Sequence, residues 1–335
     1  MGWGIFNGDM YTTSDSGASW SIAGNSYSPA KMRTASFLNQ STGLSVGEYG
    51  RICKTTDAGQ NWKAYSSMNI SHENIGNLCM INENTGWAIN GGIGIKGYNQ
   101  RGKIIKTVDG GTSWERIDTS RIYTSIKFLD GNTGLGTGDK FFRFTKNGGT
   151  TWEEKRNDSA EFTRAFLSSP NVWYVLGENT VMHEMLFFKT TNAGLSWNRI
   201  ILSSIELDEL FFLNENTGYG TTFGAISKTT DGGLNWQYLP SPYATKIFFL
   251  NEMTGWKFGS DNIYKTTNGG VNWQQQFHSS GAIRQVQFIN PSTGWAVNDN
   301  LTTFGSILKS TNGGANWFET INFSAFLFFS VNFIN

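Results

Sequence analysis

Charge is scarce in this chain: Asp, Glu, Lys and Arg make up 16% of 335 residues, and 26 basic residues balance 26 acidic ones. That balance supplies no global field to draw the chain to nucleic acid or anionic lipid. Cysteine is scarcer still. Cys53 and Cys79 lack a Cys-x-x-Cys spacing, which excludes a metal site of that kind, and the expectation is two free buried thiols. No apolar run is long: the longest, Ala325 to Val331, falls far short of the roughly 20 residues of a membrane-spanning helix. The opening Met-Gly-Trp-Gly-Ile-Phe has no basic segment followed by a long apolar one, so no signal peptide is expected within the chain.

What the chain does contain is aromatic residues at 15% and 40 glycines, the balance of a turn-rich all-β protein. The glycines fall in a repeated unit, [Ser/Thr]-x-[Asp/Asn]-x-Gly-x-x-Trp, which occurs eight times: Thr13 to Trp20, Thr55 to Trp62, Thr107 to Trp114, Thr145 to Trp152, Thr190 to Trp197, Thr229 to Trp236, Thr266 to Trp273 and Ser310 to Trp317. Its acidic or amide position is Asp15, Asp57, Asp109, Asn147, Asn192, Asp231, Asn268 and Asn312. Such a side chain accepts hydrogen bonds from the backbone of its own turn. The box glycine can enter positive φ without a Cβ clash. The Trp then folds back over the turn, where burial is worth roughly 1.5–3 kcal/mol. These residues read as turn scaffolding rather than as catalytic or metal-binding groups.

A second motif precedes most boxes: an apolar pair, Asn, then Thr-Gly and a large residue, as in Phe37 to Leu44, Phe212 to Tyr219 and Phe288 to Trp295. The copy at Phe166 to Trp173 keeps the length but loses Thr-Gly. Each unit reads as four short strands, A to D, with the second motif at the A–B turn and the box at the C–D turn. Box tryptophans are 42, 52, 38, 45, 39, 37 and 44 residues apart. That is the period of a four-stranded propeller blade, and the prediction is one all-β propeller domain over residues 1–335. Val331 to Asn335 matches Val286 to Asn290, the end of a strand A, whereas the chain starts where strand B should. A ring of eight blades therefore closes by pairing residues 325–335 with strands B to D in residues 1–20. Seven blades result if the degenerate repeat is extruded. The same terminal strand could instead enter a second copy of the chain, giving an oligomer by strand exchange.

Both hairpin turns keep fixed lengths, so length variation collects in the B–C connections, on the face that these share with the D–A loops. Variable loops on a rigid scaffold are where function usually sits. The candidate contact residues are Ile93, Tyr98 and Arg101 in the third repeat, His183 and Glu184 in the fifth, and Asp299 and Phe304 in the eighth. Arg33 and Arg284, near strand A, join them. His72, His183 and His278 are too dispersed for a zinc site. Neither a metal nor another cofactor is expected.

The paired motifs, Phe-Leu-Asn-x-x-Thr-Gly-Trp and Lys-Thr-Thr-Asp/Asn-Gly-Gly-x-x-Trp, resemble Asp-box (BNR) repeat propellers, in particular the photosystem II stability/assembly-factor-like family, over essentially the whole chain. The resemblance implies assembly through protein contacts, in some relatives by an arginine-rich patch; here Arg33, Arg121, Arg164 and Arg284 fall in or just before strand A. Many similar bacterial proteins look secreted or surface-attached. Asp boxes also occur in sialidases, whose sites need several arginines to grip a carboxylate and a Tyr–Glu pair. Arg33, Glu48, Tyr49, Arg164 and Arg284 would have to supply them, and the Phe/Tyr-Arg-Ile-Pro stretch of those enzymes is missing. The expectation is a non-catalytic protein-interaction scaffold, extracellular or on the cell surface. A carbohydrate-binding propeller is the alternative, and a glycoside hydrolase the third reading.

Overall fold

The computed structural model describes all residues except 1, 7–8, 23–31, 40, 66–72, 92–101, 201, 203–206, 208, 223–224, 241–242, 244–245, 280, 301–303, 323–327 and 334–335. The chain divides into two compact units, one of Met1–Ser26 with Ser204–Asn335 and one of Tyr27–Ser203. Strands dominate both, and among the described residues the helical content is one 3-10 turn, Glu48–Gly50.

The first unit opens with β1 (Gly2–Phe6), β2 (Asp9–Thr13) and β3 (Ser21–Ile22). In the second unit, β4 (Met32–Phe37), β5 (Gly43–Gly47), β6 (Ile52–Thr55) and β7 (Lys63–Tyr65) make one four-stranded antiparallel sheet. A nine-stranded sheet follows, in chain order from β8 (Ile75–Met80) through β9 (Gly86–Asn90), β10 (Gly102–Thr107), β11 (Glu115–Phe128), β12 (Gly134–Thr145), β13 (Glu153–Leu167), β14 (Trp173–Asn179) and β15 (Glu184–Thr190) to β16 (Asn198–Ile200). Its three long strands are two short ones run together. Thus β12 pairs with β11 through Gly134 to Gly138 and with β13 through Asp139 to Phe144, and Lys140, at φ 67°, marks the change of direction.

Back in the first unit come three more four-stranded sheets. They are β17 (Glu209–Phe212) to β18 (Gly218–Thr222), β19 (Ala225–Thr229) and β20 (Gln237–Leu239); β21 (Lys246–Phe249) to β22 (Gly255–Gly259), β23 (Asn262–Thr266) and β24 (Gln274–His278); and β25 (Ala282–Phe288) to β26 (Gly294–Asn300), β27 (Phe304–Ser310) and β28 (Phe318–Asn322). The last strand, β29 (Phe328–Phe333), lies antiparallel beside β1, with Gly2 opposite Phe333 and Gly4 opposite Val331. The degenerate fifth-repeat motif is not extruded: Leu167 pairs with Trp173 and the Ser169 hydroxyl accepts from the Val172 N–H at 3.2 Å, where other copies use Asn or, at Asp130, Asp.

The box turns form as their chemistry requires. In the third, the Thr107 hydroxyl donates to Asp109 Oδ1 (2.9 Å) and accepts from the Gly111 N–H (2.8 Å), Asp109 Oδ1 accepts from the Ser113 N–H (2.8 Å), and the Trp114 indole donates to the Gly111 carbonyl (3.2 Å). Asn147 does the same work, its amide donating to the Thr151 hydroxyl instead.

Consecutive repeats are locked by a three-layer joint. The large residue after Thr-Gly stacks flat on the strand-A Phe of the next repeat, at 3.7 Å for Trp87 on Phe128, Tyr219 on Phe249 and Trp256 on Phe288. The lysine of Lys-Thr covers the same ring, at 5.1 Å for Lys106 over Trp87 and 5.3 Å for Lys265 over Trp256. Both then reach the following box: Trp87 and Lys106 donate to the Gly148 carbonyl, Trp256 and Lys265 to that of Gly313. Trp3, Trp87, Trp173, Trp256 and Trp295 are accordingly buried core. Cys53 and Cys79 are free thiols on β6 and β8.

Candidate protein-interaction site

Within the second unit, four connections converge on an open cavity of about 420 Å³ lined by Lys103, Ser120, Arg121, Ile122, Asp139, Lys140, Phe141 and Arg156. Lys103 is the second residue of β10, residues 120–122 lie where β11 passes from one pairing to the next, residues 139–141 lie at the corresponding bend of β12, and Arg156 is on β13. All are B–C or D–A positions. None comes from an A–B or box turn.

The wall behind this cavity is a buried charged network. Asp118, 7% exposed, accepts from the Tyr123 hydroxyl (2.5 Å), Ser120 N–H (2.8 Å), Ser120 hydroxyl (2.7 Å) and Arg143 (2.5 Å). Burial pushes the Asp118 carboxyl up, but these donors together hold it below the ordinary carboxylate range. Burial and the Asp118 charge push the Tyr123 hydroxyl well up, so it stays protonated and donating. Glu154 takes both forks of Arg121 at 2.9 and 3.1 Å and lies 3.4 Å from Arg143. Arg121 is thereby held over the Phe141 ring, 6.0 Å away. The scaffold is rigid before any ligand arrives.

The rim is softer. Arg156 pairs with Asp158 at 2.8 Å, both being over half exposed, and Lys103 donates to the Thr119 carbonyl. No hydrogen bond or ion pair joins Lys140 to another described residue, and its side chain is exposed. Ile122, 53% exposed, is the apolar component. Four cationic side chains and one carboxylate thus face the opening. With Arg121 already engaged by Glu154 and the Ser120 carbonyl, the cations left to meet a ligand carboxylate are Lys140 and the nitrogens of Arg156 that Asp158 does not use, and Ile122 offers an apolar contact beside them.

The sequence-derived candidates fall elsewhere. Ile93, Tyr98 and Arg101 lie outside the described residues. His183 and Glu184 are at the β14–β15 turn, His183 paired to Glu178 (3.1 Å) and Glu184 to Arg199 (3.1 Å). Asp299 and Phe304 pair with Gly305 and Asn300 at the loop end of the β26–β27 hairpin. Arg33 and Arg284 both sit at register shifts in their strands, and Arg33 pairs with Glu48 at 3.0 Å. Arg33 and Arg164 stand on separate sheets of the second unit. Glu48 and Tyr49 form the 3-10 turn between β5 and β6, as a B–C connection should. His278 ends β24 and faces Asn262, and His72 is not described. The box residues are turn scaffolding throughout. Among the described residues, no group of His, Cys, Asp and Glu could hold a metal ion.

Lys103, Ser120, Ile122, Asp139, Lys140, Phe141 and Arg156 escaped the sequence reading because it followed loop length. The bend at 139–141 interrupts no strand and carries no insertion. The available signal was charge: Lys103, Arg121, Lys140 and Arg156 fall at or beside successive B–C and D–A connections.

No protein-family model matches the chain, and no curated protein matches it. Solved structures do. YCF48 bound to D1 peptide is similar over 87% of this chain and 97% of its own, at 18% identity and a TM-score of 0.57. YCF48 from Cyanidioschyzon merolae is similar over 85% and 97%, at 14% identity and a TM-score of 0.60. The GH74 xyloglucanase from Xanthomonas campestris is similar over 93% of this chain and 65% of its own, at 11% identity and a TM-score of 0.51. At these identities the likeness bears on the fold alone, and it makes the fold propeller-like.

Proposed function

We infer that this propeller-like chain is a non-catalytic scaffold that binds a protein partner through its B–C and D–A connections. The carrying observation is the cavity at Lys103, Arg121, Lys140 and Arg156, with exposed Ile122 beside guanidinium groups already fixed by Glu154 and Asp158. Pre-positioned cations beside an apolar side chain suit a peptide segment better than a neutral sugar, which wants aromatic platforms and amide acceptors. The similarity to a YCF48 structure that carries a D1 peptide agrees with a peptide as the class of ligand. Low charge density and abundant Asn, Thr, Ser and Gly favour an extracellular or cell-surface setting.

The finer fold reading belongs with this one: eight blades in a single ring, closed by β29 against β1. Removing residues 325–335 would strip the partner from β1 and leave an open sheet edge. Light scattering should then show loss of the monomer to aggregates; a full-length chain that is already a concentration-dependent oligomer would favour strand exchange instead.

The functional test presents immobilised protein, wild type and Lys140→Glu, to a displayed random-peptide library and to a glycan array. Enrichment of acidic peptides on the wild type and its loss in the variant supports the reading. Selective glycan binding unaffected by the variant overturns it in favour of the lectin-like alternative.

A further inference from the structure

The β14–β15 hairpin ends in two adjacent apolar side chains, Val181 and Met182, which are 71% and 68% exposed. Two adjacent apolar side chains at the tip of a hairpin offer a partner a compact apolar contact point. This one is also held still. The Asn179 carboxamide oxygen accepts from the Val181 and Met182 N–H groups at 3.0 Å each, and the His183 N–H donates to the Asn179 carbonyl at 2.8 Å. The Thr180 N–H then ties the tip to the Ser159 carbonyl at 2.7 Å. Ser159 lies three residues beyond Arg156 of the cavity rim, next to Asp158, the carboxylate that fixes Arg156.

We propose that Val181 and Met182 are an apolar anchor for the same partner that enters the cavity, so that the partner is an extended acidic segment carrying large apolar side chains. This rests on the protein-binding reading above. Charge selects among the covers the tip could have. The base of the hairpin presents Glu178 and Glu184, the first paired, among the described residues, with a histidine, so an anionic bilayer is repelled there while the cavity attracts carboxylates. Geometry sets the spacing. From Arg156 to the tip is at most roughly 15–20 Å along the chain, which an extended ligand spans in about five residues. A partner with a Glu or Asp in the cavity and a Leu, Phe or Met about five residues away therefore meets both features.

The test uses fluorescence polarisation with three labelled synthetic dodecapeptides: Glu with Leu, Glu with Ser, and Lys with Leu. The proteins are the full chain, Lys140→Glu, and the double variant Val181→Ser/Met182→Ser, whose side chains are exposed enough that folding should be untouched; circular dichroism checks this. The wild type should prefer the Glu/Leu peptide. The tip variant should bind that peptide at least about tenfold more weakly yet bind Glu/Ser as the wild type does, whereas Lys140→Glu should weaken both. Equal Glu/Leu binding by the tip variant and the wild type overturns the anchor while leaving the cavity standing. Indifference of both acidic peptides to Lys140→Glu, or no binding of either, overturns the cavity reading and the anchor with it. Wild-type sedimentation with phosphatidylserine vesicles that the tip variant loses would replace the protein partner with a membrane.

Discussion

Replacing Gly111 with alanine tests the box turn against its neighbour. Gly111 has φ 86°, and a Cβ there would lie 2.5 Å from Leu44 Cδ1 and 2.9 Å from Cδ2, with Leu44 1% exposed in the core of the preceding sheet. Left-handed backbone costs a non-glycine residue roughly 1–2 kcal/mol, and overpacking a core adds about 1–3 kcal/mol. The expected loss is therefore about 2–5 kcal/mol, or roughly 3–7 °C in Tm for a cooperative chain of this size. The protein carries its own control. Ala58 occupies the adjoining position of the preceding box at φ 63°, where the third box has Gly110 at φ 68°. Ala58→Gly relieves the backbone without touching Leu44 and should change Tm by no more than about 1–2 °C. Both are read by scanning calorimetry at one protein concentration. A Gly111→Ala loss no larger than the Ala58→Gly change would refute the packing of the box against Leu44.

Two further expectations concern buried charge. Lys257 is 0% exposed, and burial lowers its amine to about 7, so the unfolded chain binds more protons than the folded one between that pH and its ordinary range. Stability should thus rise from pH 7 to pH 10 in urea titrations, and Lys257→Met should flatten the rise. Asp118→Ala leaves the Tyr123 hydroxyl and Arg143 without their shared carboxylate and should cost about 3–5 kcal/mol by the same titration. Because the Asp118 carboxyl is held low in the fold, its contribution is present above the ordinary carboxylate range and is lost as pH falls below it; the variant should therefore lose less stability on acidification than the wild type.

Local chemistry was legible in the sequence because each turn closes on itself. The hydrogen bonds that shape the turn, from Thr107 to Asp109, from Gly111 to Thr107 and from Trp114 to Gly111, lie within a stretch of eight residues, so spacing alone announced the turn, its glycine and the folded-back indole. The pairing of β29 with β1 was legible too, since matching the last residues to Val286 to Asn290 identifies a strand A without its hairpin. Repetition made both readings safe: what one copy leaves ambiguous, the others repeat.

What the tertiary structure decided is whatever depends on two repeats at once. Phe128, Trp87 and Lys106 belong to three motifs read separately, yet they stack as one joint, because successive repeats pack with strand B of one against strand A of the next. The cavity arises likewise: Lys103, Arg121, Lys140 and Arg156 are spread over more than fifty residues, and only the bends of β11 and β12 place them around one opening. Insertion length misled because it measures how far a loop can reach, not which charges the sheet beneath it gathers. Repeat spacing records contacts along the chain, whereas a binding surface is made of contacts across it, and those exist only once the sheets have packed.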